Sequence, residues 1–192
     1  RSADNIRDHR HVTSLLHRIR TTEHGVYVRP TLSFDERGHQ KNTLTYFVCG
    51  VSGEGKAPVG FYPVVEDYIG EGGTFTRPRA LIENKEALKA GSMAEGKEAI
   101  GGIRFDKVTL EPKQSVCYTI LIGATEDEKV IEDAIAALST KEKVLDELKK
   151  TVDYWQKEVN IAYHTGSDEF DNYMRWVSFQ PFLRRIYGCS FL

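Results

Sequence analysis

Few residues in this chain have the type and spacing to do chemistry, and each has a plainer reading. His9 and His11 stand one residue apart between Asp8 and Arg10. Alternate positions of a strand share a face, so the pair could hold a metal ion. A third ligand at defined spacing is missing, and a surface or structural pair is the plainer reading. Glu66-Asp67 has the composition of an acid pair. Neighbours on an extended chain point apart, however, and cannot flank one scissile bond as two catalytic carboxylates must. Gly70-Glu71-Gly72-Gly73-Thr74 is glycine-rich but lacks the lysine and strand-to-helix setting of a phosphate loop, and reads as an irregular surface loop. Arg184-Arg185 beside Tyr187 offers rigid forks of donors suited to a sugar's hydroxyls or an anion, the alternative being a solvated or ion-paired helix face. Trp155 and Trp176 could stack on sugar rings, although Trp155 lies on an apolar stripe and reads as core. No general acid with a partner base, nucleophile, metal cluster or cofactor loop can be named.

The elements that must position these residues fall into two groups. Val26–Val28, Thr31–Phe34 and Thr43–Val48 are rich in β-branched and aromatic residues. Asp35-Glu36-Arg37-Gly38 supplies a turn, so 31–34 and 43–48 are expected to form an antiparallel hairpin. Pro58 and Pro63 assign the apolar run 58–65 to an edge or a loop. Residues 66–102 are loop-rich, and Ile103–Leu110 and Ser115–Ile122 read as two further strands. Many short strands with turns between them suggest a sandwich. The character changes near residue 124. Thr125-Glu126-Asp127-Glu128 and Ser139-Thr140-Lys141-Glu142 are capping-box signatures. Leu145, Leu148, Val152, Trp155 and Val159 then recur at helical spacing. Ser167 caps a third helical segment with Phe170, Tyr173, Met174 and Val177 on one side, and Pro181 should kink or restart it.

Composition sets limits. The chain has 192 residues, 40% hydrophobic and 28% charged, with a formal net charge of -2 and its basic residues interspersed with acidic ones, so nothing suggests a nucleic-acid or acidic-lipid surface. No apolar run approaches the ~20 residues needed to cross a bilayer. Cys49, Cys117 and Cys189 are odd in number and far apart, which fits free thiols in a reducing, cytoplasmic setting. With no initiator Met and an ending on Ser190-Phe191-Leu192, both ends read as cut.

The run Ser167-Asp168-Glu169-Phe170-Asp171-Asn172-Tyr173-Met174-Arg175-Trp176-Val177-Ser178-Phe179-Gln180, followed by Arg184-Arg185-Ile186-Tyr187-Gly188-Cys189-Ser190-Phe191, resembles the opening of the (α/α)6 barrel in family 94 glycoside hydrolases, the inverting cellobiose-type phosphorylases. Upstream, Asp67-Tyr68-Ile69-Gly70 with Pro78 is similar to the family's Phe-Leu-Gly loop, and Gly101-Gly102 to its last sandwich strands. Arg1–Asn5 and Arg7–His11 look closest to the branch acting on 1,2-β-linked gluco-oligosaccharides.

The resemblance implies an antiparallel, galactose mutarotase-like β-sandwich over 1–124, a helical linker over 125–160, and the start of the catalytic barrel over 161–192. It implies phosphorolysis of a β-glucosidic bond to an α-sugar 1-phosphate, with inorganic phosphate as co-substrate and no other cofactor. The catalytic acid would lie downstream of Leu192, leaving this segment inactive alone. Arg185, or else Arg184, would contact the sugar, and Gln180 matches a family glutamine by position. Pro181 follows Gln180, whereas the family often has its proline just before the aromatic-Gln pair. The implied partners are oligosaccharide, phosphate and a second subunit in a homodimer, with no nucleic acid and no membrane. A hydrolase, the phosphorylase-like module of a cyclic glucan synthase, and a non-catalytic carbohydrate-binding or assembly module remain alternatives.

Overall fold

The computed structural model describes residues 12–35, 38–183, 185–186 and 189–190. The chain divides into two compact units, residues 1–144 and 145–192.

The first unit is built on an antiparallel five-stranded sheet. Its strands are β1 (Arg18–Thr21), β2 (Gly25–Val28), β5 (Thr45–Ser52), β7 (Met93–Glu95) and β9 (Tyr118–Thr125), in the order β7-β1-β2-β5-β9. β3 (Leu32–Asp35) and β4 (Gly38–Lys41) form a separate hairpin. The hairpin expected from the sequence therefore has a different second arm. Gly38, at φ +98°, starts β4 at once, and residues 45–52 pair instead with β2 and β9. Pairing with both buries Thr45, Cys49 and Val51, which a two-stranded ribbon could not do.

Strand alternation sends successive side chains to opposite faces of the sheet. Ile19 and Val26 meet Phe61 and Val64 of a second layer, formed by β6 (Gly60–Val64) and β8 (Ala99–Arg104). Every residue of β6 is buried, despite its proline. Pro63 sits where the β6–β8 register shifts between Tyr62 and Val64, so its missing N–H interrupts no ladder. β8 begins at Ala99 rather than at Ile103, and residues 105–117 contain no strand. The reason is steric. A Cβ on Gly101 would lie 2.5 Å from the Val48 side chain, and one on Gly102 would lie 2.7 Å from the Tyr62 carbonyl. The glycine pair lets the layers approach, although it weakens the strand signal in the sequence. Outside β6, Tyr62 packs with Ala80 and Ala87, beside α1 (Val65–Ile69) and α2 (Arg79–Ile82).

The opposite face of the sheet is covered by α3 (Lys129–Ala137), whose Ile131 and Ile135 pack on Tyr27, Cys49 and Val51. The expected capping box does not form there. Thr125 Oγ1 accepts from the Asp127 amide, and Asp127 Oδ1 accepts from the Lys129 amide. Glu128 turns to the sheet, pairing with Arg20 and accepting from Thr45 Oγ1 at 3.1 Å. Arg20 also lies 4.7 Å from the centre of the Tyr27 ring, and the Tyr27 hydroxyl donates to Glu132 Oε1 at 3.1 Å. Burial, reinforced by Cys49 and Glu132, drives the Tyr27 phenol well above its ordinary pKa. Burial also pushes the Cys49 thiol up, to about 11, against an opposing hydrogen bond from Tyr27.

α4 (Lys141–Glu158) starts one residue later than its signature suggests, with Thr140 Oγ1 rather than Ser139 accepting from the Lys143 amide. No residue of α4 is fully buried: Leu145, Leu148 and Val152 remain exposed along the expected apolar stripe. α5 (Asp168–Leu183) runs through Pro181 for two more residues instead of restarting there. In the last turn the proline removes only one amide donor, which limits the damage. β10 (Arg185–Ile186) then pairs with β11 (Cys189–Ser190), a ladder that the sequence did not announce.

Candidate functional site

The residues that the sequence nominated for sugar binding all lie in the second unit. α5 starts at a well-made cap: the Asp171 carboxylate accepts from the Thr165 amide at 3.1 and 3.2 Å and from its hydroxyl at 2.7 Å. Ser167 Oγ accepts from the Phe170 amide, as its sequence position predicts. One turn from the far end, Ser178 Oγ donates to the Met174 carbonyl at 2.9 Å, so the Tyr163 hydroxyl, also at 2.9 Å, is the donor to Ser178. These bonds hold the 163–167 segment along α5 and fix the rotation of the helix.

That rotation gathers aromatic rings. Trp155 of α4 meets Phe179 edge-on, with centroids 4.8 Å apart and planes at 86°, and Phe182 at 6.2 Å. Trp176 lies 6.2 Å from Phe179. Edge-to-face pairs of this kind contribute about 0.5–1.5 kcal/mol beyond area burial. Trp155, Trp176 and Phe179 wall a groove of about 810 Å³, with Gln156, Asn172 and Arg175 among its polar edges. Trp176 is 55% exposed and Tyr173 60%, so the aromatic face of α5 is open. Aromatic walls with amide and guanidinium donors can take the apolar face of a pyranose and its hydroxyls together.

The nominated side chains fare differently. Gln180 is on α5, and its Nε2 is buried with no hydrogen-bond partner among the described residues. Such a donor costs roughly 1–3 kcal/mol while unpaired. Arg185 is in β10, opposite Ser190. Arg184 lies outside the described residues, as do His9 and His11. The structure therefore places Gln180 on the aromatic helix. The sequence missed Phe179 as the ring that joins both tryptophans. The three-residue step from Trp176 to Phe179, which puts both rings on one helix face, was the available signal.

Elsewhere the charges are ordinary. Among the described residues no group of three or more His, Cys, Asp or Glu could hold a metal ion, and no helix is long and apolar enough to cross a membrane. Glu66, one of the adjacent acids, lies in the first turn of α1 and pairs with Lys97 at 2.8 Å. Cys49 and Cys117 are free thiols, one buried and one exposed.

An antiparallel sheet faced by a second β layer, with helices following, defines a sandwich-type domain. Residues 4–141 match the family model described as glycosyl hydrolase 94, supersandwich domain, and the chain belongs to that family. The match ends within the first turn of α4. No curated protein matches the chain.

Proposed function

We propose that this chain serves an inverting phosphorolysis of β-linked, 1,2-linked gluco-oligosaccharides. It supplies the sandwich domain (1–124), a helical linker (125–160) and the opening of a catalytic barrel (161–192). The observation that carries this reading is the family 94 supersandwich match over most of the first unit. The open aromatic face of α5, which begins at the Ser167 cap, supports it.

In the reaction proposed, a carboxylic acid outside these residues protonates the leaving glycosidic oxygen. A phosphate oxygen attacks the anomeric carbon from the opposite face, the C–O bond to the leaving sugar breaks, and α-glucose 1-phosphate forms. Phosphate takes the place of the activated water of an inverting hydrolase, so one carboxyl suffices. Arg185, Arg184 and Gln180 contribute donors to the bound sugar, phosphate is the co-substrate, and the assembly is a cytoplasmic homodimer.

The test incubates a protein carrying this domain and its catalytic domain with 1,2-β-gluco-oligosaccharide, with and without phosphate. Sugar 1-phosphate forming only with phosphate is expected, and the 192-residue chain alone should release nothing. Equal free sugar in both tubes would mean hydrolysis and end the phosphorylase reading. A second reading, a non-catalytic carbohydrate-binding or assembly module, is favoured by the open aromatic groove between α4 and α5. Turnover by any protein containing the chain, lost on deleting residues 161–192, would exclude it.

A further inference from the structure

The first unit carries a cleft that the reaction proposed above does not use. Arg104, the last residue of β8, is held flat by three neutral acceptors. Its Nη1 donates to the Lys85 carbonyl at 3.1 Å and to the Tyr62 hydroxyl at 3.3 Å, and its Nη2 donates to Asn84 Oδ1 at 2.7 Å. The Tyr62 hydroxyl in turn donates to the same Lys85 carbonyl at 2.7 Å. Asn84 turns the chain at φ +47°, a left-handed conformation that asparagine tolerates better than most residues. Together these bonds fix the guanidinium plane and leave its Nε–H outside them. A donor fork immobilised in this way loses little freedom on binding a ligand.

Around Arg104 the cleft measures about 450 Å³, with Tyr68, Asn84, Phe105, Asp106 and Tyr118 in its lining. Phe105 and Tyr118 stack with centroids 4.4 Å apart and planes at 33°. The same pair, with Asp106, also lines a second depression of about 600 Å³, where Glu54, Lys56 and Gln114 contribute. The two depressions therefore share the stacked aromatic pair as a common wall. Both are lined by cationic and anionic groups together. Asp106 beside Arg104 disfavours an anionic ligand and supplies acceptors for a polyol, whose hydroxyls must both donate and accept. Aromatic carbon, a fixed donor fork and a carboxylate are the elements that a neutral sugar chain requires.

We propose that these two depressions form one groove that binds a neutral gluco-oligosaccharide across the Phe105–Tyr118 pair, with Arg104 as the orienting donor. The choice of glucose units rests on the substrate class proposed above; the groove itself rests on the geometry. Calorimetric titration of the 192-residue chain with linear 1,2-β-glucopentaose, cellopentaose and maltopentaose, in the absence of phosphate, tests it. Saturable binding of a β-linked chain is expected. Tyr118→Ala and Arg104→Lys should each weaken it by about 10-fold, the lysine keeping the charge but losing the fork. Because Arg104 also braces the turn at Asn84, a melting curve accompanies each variant, and the half-exposed Tyr118 carries the test if Arg104→Lys fails to fold. No heat with any of the three sugars at ~10 mM, far above the Kd of even a weak site, would overturn the groove. So would binding unchanged in the folded variants. A phosphate-independent titration separates this outcome from failure of the phosphorolysis reading, which turnover alone decides.

Discussion

Glu128 shows how a single side chain can leave a predicted role for a stronger one. Its spacing from Thr125 fits a capping box, yet its carboxylate bonds to Arg20 and Thr45 across the sheet. No local pattern can announce this, because the partners lie more than eighty residues away in sequence. Burial alone would raise its pKa, but the Arg20 hydrogen bond and charge, with Thr45 and the charge of Arg29, outweigh that and hold it below the usual carboxylate value. A depressed folded-state pKa means stability that is present above the unfolded value of about 4.3 and is lost as pH falls through the folded one. Glu128→Gln should therefore lower stability near neutral pH by about 0.5–1 kcal/mol, allowing for solvent screening of a pair that is more than a third exposed. The gap in Tm between wild type and variant should close as pH drops from about 6 towards 3. A gap that persists in acid would assign the loss to packing. Arg185 was nominated only through its neighbours in sequence. Under the proposed function, Arg185→Ala in a protein carrying this domain and its catalytic domain should reduce kcat/KM by about 10-fold or more, as removing a hydrogen bond of roughly 1.5–3 kcal/mol from a charged group implies. Unchanged kinetics would return it to the solvated-face reading.

At the scale of elements, the strands that alternate or carry β-branched runs were legible: β2, β3 and the first half of β5, Thr45–Val48, lie where the residues put them. What the sequence hid was pairing. β5 finds β2 and β9 rather than β3, because both faces of its sheet are covered, by α3 and by β6–β8. The start of β8 was placed four residues too late because its glycines carry no strand signal and serve the approach of Val48 and Tyr62. Gly101→Ala tests that account. The added methyl meets packed side-chain carbons, so a loss of about 1–3 kcal/mol is expected in chemical denaturation. Gly72→Ala, with nothing within 4 Å of its Cβ but φ at +70°, should lose only about 1 kcal/mol, from backbone strain. Equal losses would mean that layer spacing does not depend on Gly101. The proline in β6 was the opposite lesson: its chemistry was read correctly and its location was not, since a register shift absorbs it inside a buried strand.

At the scale of the molecule, the sequence conveyed the sequence of architectures, sandwich and then helices, because period-two and 3.6-residue patterns occupy different stretches. It could not convey how much apolar surface the described residues leave open. Among the described residues β9 ends its sheet, and on one face it presents Ile122 at 78% exposure and Ile120 at 47%, an open apolar surface that favours self-association. Ile122→Lys should leave the Tm within about 1 °C, since it removes almost no buried area, and should raise the concentration at which light scattering first detects self-association. A large fall in Tm would show instead that Ile122 is buried in solution.

The contact of α3 with the sheet has a consequence for time rather than for strength. Cys49 is fully shielded, with Ile131 and Ile135 of α3 in its cluster, and its thiol is pushed to about 11. A maleimide can reach it only in the fraction of molecules whose helix has lifted, so its labelling rate counts those openings, much as amide exchange does. Exposed Cys117 should label at once and serve as the internal reference. In Glu128→Gln the same clock should tick faster at pH 7, in step with the lower melting temperature expected there.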